Sequence, residues 1–292
     1  MRVLITGAGG LLGGRLVELL ARSFDVLAAW KTSPPPPEVA SVRVDLLVED
    51  SLVQVVRGSA LDAVVHCAAL ADADRCEQDP DLAGRLNSDL PRSIARLCHA
   101  HRLRLVALST DLVFDGLRAP YVEEAKPAPV LAYGRTKLSG EEAILAEHPA
   151  AAVARVALVA GRGHGPRATA TESIAWHLRA GRPVRLFSDQ RRTPVDSESV
   201  ADAVARLLVG AQAGRFHLGG AERLSRLEVG LRVARLLRLP EEGILPVRQA
   251  DQPIGVPRPA DVSLASARVQ QELDWRPRSL DEAILGGRPA PP

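Results

Sequence analysis

Tyrosine and lysine are nearly missing from this chain. Its 292 residues hold 2 Tyr, and Lys fills only 3 of the 37 basic positions. Arginine therefore carries most of the positive charge, which reads as a genome or thermal-adaptation bias rather than a binding patch. The formal net charge is only +2, so there is no electrostatic case for nucleic acid or for a membrane surface. Cysteine is scarce too: Cys67, Cys76 and Cys98 are odd in number and lack metal-ligand spacing. That favours reduced thiols, a cytoplasmic setting and no metal. No apolar run is long enough to cross a bilayer. The best one, residues 150–161, is short and interrupted by Arg155. No internal repeat is visible, and the N-terminal residues enter a strand at once, so no signal peptide is expected.

The rest of the composition is that of a soluble globular enzyme, with 46% hydrophobic and 25% charged residues. The length suits one large α/β domain or two smaller units sharing a core. The apolar run Val3–Ile5 leads into Thr6-Gly7-Ala-Gly-Gly10-Leu11-Leu12-Gly13, and a helical pattern follows from Arg15. Strand, glycine turn and helix bring a helix N-terminus against a dinucleotide pyrophosphate. The Gly-x-x-Gly-x-x-Gly spacing arises by chance about 0.14 times in such a composition, so its place between strand and helix gives it meaning. Gly7, Gly10 and Gly13, with Leu11 and Leu12, are the expected cofactor cradle.

Asp25 to Lys31 reads as the second strand. No carboxylate follows it and Lys31 stands at its end, which favours NADP(H) while leaving NAD(H) open. Val42 to Leu46 is a short third strand, with Asp45 placed for an adenine edge. Asp62 to Ala69 is a fourth, buried on both faces, with small Ala68 and Ala69 to let a cofactor lie close. His66 inside it reads as a packed core histidine, and Asn87 as a cap-region residue before a helix over 90–101. A strand over 105–108 leads into Ser109-Thr110-Asp111, and a helix from Tyr133 runs past Glu141. Residues 153–159 are a sixth strand. The repeated β-α order implies a parallel, doubly wound Rossmann-type sheet. After residue 160 the pattern becomes a smaller α+β unit. The expected division is 1–160, with part of 183–210, for the Rossmann domain; 161–182 and 211–285 for a substrate-binding part; and 286–292 for a disordered tail.

The two rare residue types meet in one place. Tyr133 and Lys137 stand four apart, on one face of the predicted helix. With so few of each, a chance Tyr-x-x-x-Lys pair is expected only about 0.02 times. A hydroxyl at a strand end, Thr110, with a Tyr–Lys pair nearby, suits proton chemistry on a carbonyl or alcohol.

Together, Thr6-Gly7-x-x-Gly10-x-x-Gly13, Asp45-Leu46, Ala68-Ala69, Asn87, Thr110 and Tyr133-x-x-x-Lys137 resemble the extended short-chain dehydrogenase/reductase family over nearly the whole chain. Ser109 to Gly116, Tyr133 to Glu141 and Asp189-Gln190 are similar to segments of its dTDP-4-dehydrorhamnose reductase group. That resemblance implies NAD(P)H-dependent reduction of a 4-keto nucleotide-linked sugar, and a homodimer. It implies Tyr133 as proton donor, with Lys137 lowering its pKa and holding the nicotinamide ribose. Thr110 orients the carbonyl, and Asp111, Arg192 and Arg258 contact substrate, the two arginines gripping a diphosphate. Leu46 joins the cofactor set by the same resemblance. Two positions depart from the group: Leu112 and Leu158 stand where it carries aromatics. Leu112 also cannot serve as the acid of a family dehydratase. The alternatives are a sugar-nucleotide epimerase, which Lys31 disfavours, and a catalytically silent NADP-binding subunit of the methionine adenosyltransferase beta type.

Overall fold

The structure, a computed structural model, describes residues 1–48, 50–252, 256 and 258–286. The expected tail falls almost wholly outside the described residues.

Seven parallel strands form the central sheet: β1 (Arg2–Thr6), β2 (Asp25–Trp30), β3 (Ser41–Arg43), β4 (Ala63–His66), β5 (Arg104–Thr110), β6 (Ala152–Val156) and β11 (Gly214–Leu218), in the order β11-β6-β5-β4-β1-β2-β3. Between them run α1 (Leu11–Leu20), α2 (Ser51–Arg57), α3 (Ala73–Gln78), α4 (Pro80–Gly84), α5 (Leu90–Ala100) and α6 (Ala132–Glu147). Strand order reverses between β1 and β4, which opens the crevice where such sheets take ligands. The two-residue period of a strand splits β1 between both faces. Val3 and Ile5 pack in one core with Leu16, Val204, Leu207 and Trp275. Leu4 packs in the other with Leu105, Ile94 and Ile144. Each such side chain contributes about 1.5–3 kcal/mol by leaving water.

The C-terminal half adds β7 (Val159–Ala160), α7 (Ala170–Arg179), β8 (Val184–Phe187), β9 (Arg191–Arg192), β10 (Val195–Asp196), α8 (Ser197–Val209), β12 (Leu224–Ser225), α9 (Arg226–Leu236), β13 (Ile244–Val247), α10 (Ala267–Leu273) and α11 (Leu280–Leu285). A third core, with Ile174, Leu186, Val229, Val233 and Ile244, holds α7, α9, β8 and β13 together. The capping boxes Thr169/Glu172, Ser225/Glu228 and Ser279/Glu282 start α7, α9 and α11.

Two local expectations give way. Phe216-His-Leu, assigned by sequence to the substrate-binding part, lies in β11 and pairs in parallel with β6 from Gly214↔Ala152 to Leu218↔Val156. Phe216 is fully buried in the sheet's own core, so apolar burial draws this segment back across the chain. The run 153–159 also breaks after Val156. Its end, β7, pairs instead with β10, Val195↔Val159, and so leads the chain out of the sheet.

Candidate active site

The glycine turn has the close approaches that its residues suggest. Gly7 adopts φ +68°, and a Cβ there would lie 2.6 Å from the Ala68 nitrogen, at the end of the neighbouring strand β4. A Cβ on Gly13 would collide with the Gly7 carbonyl. Only glycine fits either position. Helix α1 begins after Gly10, with no side-chain cap and no acid in its first turn. Its first N–H groups and the positive end of its dipole are left open to an anion. That cradle fits a dinucleotide pyrophosphate.

At the second strand end, Lys31 Nζ lies 2.7 Å from Asp45 Oδ2. Two residues read separately, as a 2′-phosphate contact and an adenine contact, thus neutralise each other. Arg43 reaches the same spot, donating from Nε to the Lys31 carbonyl at 3.2 Å with its guanidinium over the Trp30 ring. Asp45 and Leu46 lie just past β3 rather than within it. Ala68 and Ala69 follow β4. The loop after them is fixed by Asn87, whose amide accepts from Leu70 N at 2.9 Å and donates to Leu70 O and to Thr136 Oγ1 on α6. Asn87 is therefore a buried clamp in the π-turn Arg85–Asp89, not a helix cap. His66 is a core histidine: its Nδ1 lies 2.8 Å from Thr6 Oγ1, and burial lowers its pKa to about 3.

Thr110 ends β5, donates to Asp111 Oδ1 at 3.2 Å and accepts from Leu112 N at 3.2 Å. Tyr133 and Lys137 share one face of α6. Burial raises the Tyr133 phenol above its ordinary value, the nearby Thr110 hydroxyl lowers it, and the Asp111 charge raises it. Lys137 is not among those influences, so in the protein alone the phenol moves opposite to the expected direction. It is therefore fully protonated at neutral pH. Lys137 Nζ donates to Leu108 O at 2.7 Å, and burial brings its pKa down to about 8 against the Glu141 charge.

One turn beyond Lys137, Glu141 anchors α6 to the sheet. It accepts from Ser109 Oγ at 2.5 Å, from Arg155 Nη2 at 2.7 Å and from Arg215 Nε at 3.0 Å. Burial alone would raise its carboxyl, but Arg155, Ser109 and Arg215 hold it below the ordinary value. The other tyrosine, Tyr121, is structural. Its hydroxyl accepts the backbone N–H groups of Gly116, Leu117 and Arg118 and donates to Asp115.

Beside Thr110 opens a cavity of about 330 Å³, lined by Asp111, Leu112, Leu158, Arg185, Leu186, Phe187, Gln190, Arg192 and Arg226, a size suited to a small-molecule ligand. Of the substrate residues expected from sequence, Asp111 and Arg192 meet here, Arg192 Nε lying 3.6 Å from Asp111 Oδ2. Burial raises Asp111 to about 6 against the Arg192 charge. Arg258 does not line the cavity; it pairs with Asp74 at 2.6 Å. Arg226, Arg185 and Phe187 escaped the sequence reading. The box Ser225-x-x-Glu228 marks the start of α9, but nothing in it shows that the next residue faces a cavity. Among the described residues, no cluster of three or more metal-ligating side chains forms, and no helix is long and apolar enough to cross a membrane.

Residues 1–285 match the family described as RmlD substrate binding domain. The chain is 30% identical to the "Probable low-salt glycan biosynthesis reductase" of Haloferax volcanii, covering 97% of this chain and 96% of that one. It is 31% identical to methionine adenosyltransferase 2 subunit beta of Mus musculus, over 92% and 81%. Among solved structures, a hypothetical dTDP-4-dehydrorhamnose reductase from Sulfolobus tokodaii superposes with a TM-score of 0.85 at 30% identity, over 96% and 98%. Structures sharing the fold are described in complex with NADP or with NAD. With its parallel sheet and uncapped glycine turn, this chain belongs to the RmlD substrate binding domain family, on the extended short-chain dehydrogenase/reductase fold.

Proposed function

We propose that this chain is an NAD(P)H-dependent reductase of a 4-keto nucleotide-linked sugar. The observation that carries the proposal is that α6, with Tyr133 and Lys137 on one face, packs at the end of β5 where Thr110 stands, Gly134 lying against the carbonyl of Leu112, which lines the 330 Å³ cavity. The reduced nicotinamide, when bound, supplies the hydride. Tyr133 then gives its phenolic proton to the oxygen that gains charge. Its raised pKa keeps that proton in place until it is needed. Thr110 holds the carbonyl oxygen from the other side. Lys137, held on Leu108 O, keeps a cation behind the site. Leu112 and Leu158 give the sugar an apolar wall. For the cofactor, Lys31 and Arg43 bring two cations against the single carboxylate of Asp45, which favours the 2′-phosphate of NADP(H).

The test is NADPH oxidation with a panel of nucleotide-linked 4-keto sugars, comparing wild type with Tyr133→Phe. Turnover in wild type and its collapse in the variant are expected. Equal turnover in both would remove Tyr133 as the acid. The likeness to methionine adenosyltransferase 2 subunit beta favours a second reading, a nicotinamide-binding partner subunit without turnover. Absence of NADPH oxidation across the panel, together with co-purification of a methionine adenosyltransferase, would establish that role.

A further inference from the structure

Arg15, Arg155 and Arg192 are buried and Arg226 is half-buried, and the four differ in one respect. Arg15 meets Glu18 and Glu198, Arg155 meets Glu141, and Arg192 meets Asp111. Arg226 meets no acid among the described residues, and its Nη1 is buried without a hydrogen-bond partner. Of the arginines around it, Arg191 pairs with Glu228, Arg223 with Asp261 and Arg232 with Glu222, while Arg185, also without an acid among the described residues, is exposed to water. A guanidinium with a buried nitrogen and no anion is costly, because the lost hydration is not replaced.

The fold forces this position on Arg226. Strand β12 pairs antiparallel with β9, setting Leu224 opposite Arg192. Arg226 N then donates to Gln190 O at 2.9 Å. These bonds bring Arg226 beside Arg192, and both line the cavity. Burial and the Arg192 charge lower the Arg226 pKa to about 10. Arg226 is also the first residue of α9, at the positive end of that helix, where a cation is disfavoured. Burial, a like-charge neighbour and a helix dipole thus all oppose a positive charge that the chain nevertheless keeps.

We infer that Arg226 and Arg192 together receive the diphosphate of the nucleotide-linked substrate, with Arg226, not Arg258, as the second guanidinium. The assignment rests on the cavity being the substrate pocket. Asp111 offsets one of the two guanidinium charges, and Arg185 adds a further cation to the lining. A lone carboxylate would leave positive charge uncompensated, whereas a diphosphate offers oxygens to two forks. Arg258 gives one nitrogen, Nη2, to Asp74 and does not line the cavity.

Calorimetric titration with UDP and with inorganic pyrophosphate tests this without turnover, so it stands or falls apart from the reductase reading. Arg226→Leu is expected to weaken UDP at least about tenfold, and to weaken pyrophosphate in parallel. Arg258→Leu is expected to change UDP affinity less than about twofold. The thermal midpoint of unligated Arg226→Leu should equal or exceed that of wild type, because an uncompensated buried charge is gone, while the rise on adding UDP is lost. Unchanged UDP affinity in Arg226→Leu, a larger loss in Arg258→Leu, or pyrophosphate binding indifferent to Arg226 would each overturn the assignment. Should Arg226→Leu prove less stable than wild type, Arg226→Gln decides: weakened UDP at an unchanged midpoint supports the assignment, and full affinity overturns it.

Discussion

Two clusters of buried charge in this protein are built on opposite terms. Between α6 and β6, Glu141 has both oxygens engaged by Arg155, Arg215 and Ser109. His217 completes that cluster, its Nε2 facing Arg155 at 3.3 Å and its Nδ1 donating to the Tyr121 carbonyl at 3.1 Å. Around the cavity, Asp111 keeps one oxygen without a hydrogen bond and Arg226 keeps a nitrogen without one. The difference teaches where to look for ligands. Charge satisfied from within holds helices to a sheet; charge left open in a cavity awaits a partner from outside.

The sharpest way to break that contrast is at the open end. Tyr133→Phe should lower kcat about 10²- to 10⁴-fold, while fluorescence titration finds NADPH affinity unchanged. A variant that binds NADPH poorly would instead place Tyr133 on the architectural side.

The closed cluster predicts a loss of stability. Glu141→Gln leaves Arg155 buried without its counter-charge and should cost about 3–5 kcal/mol in urea unfolding. A cost below about 1 kcal/mol would make the two clusters alike. The cluster also carries a pH signature. Because the folded Glu141 pKa lies below its ordinary 4.5, its stabilisation is present above that value and fades as pH falls through the lowered pKa. The gap between wild type and Glu141→Gln should therefore narrow on going from pH 6 to pH 3.

The open cluster titrates in a different range. Asp111, raised to about 6, loses its charge as pH falls through that value, leaving Arg192 and Arg226 unopposed. UDP-glucose, whose doubly esterified diphosphate does not titrate in this range, should bind severalfold more tightly at pH 5.5 than at pH 7.5, and Asp111→Asn should flatten that profile. Affinity that weakens on acidification would sink this account of the cavity. The smallest effect belongs to the exposed pair at the cofactor end: Lys31→Ala should weaken NADPH about three- to fivefold and leave NADH unchanged.

Much of the framework is legible in the residues themselves. Gly7, Gly10 and Gly13 mark the turn because only glycine permits its approaches, and the Tyr133–Lys137 spacing places two rare residues on one helical face. The apolar runs of β1 and β4 announce a parallel sheet buried on both faces. What the linear order could not reveal was pairing across it. Lys31 and Asp45 lie fourteen positions apart, and only the register of β2 on β3 makes them one ion pair. Phe216 belongs to the sheet because β11 returns to β6 across more than fifty residues. Sequence singles out Arg258 and passes over Arg226; the strand pair β9–β12 brings Arg226 to the cavity, and Asp74 engages Arg258. Local sequence determined turns, helix starts and faces, since these depend on φ/ψ preference and short-range spacing. Which charges meet, and which stay open for a ligand, was decided only by tertiary structure, because electrostatic satisfaction depends on distances that folding alone creates.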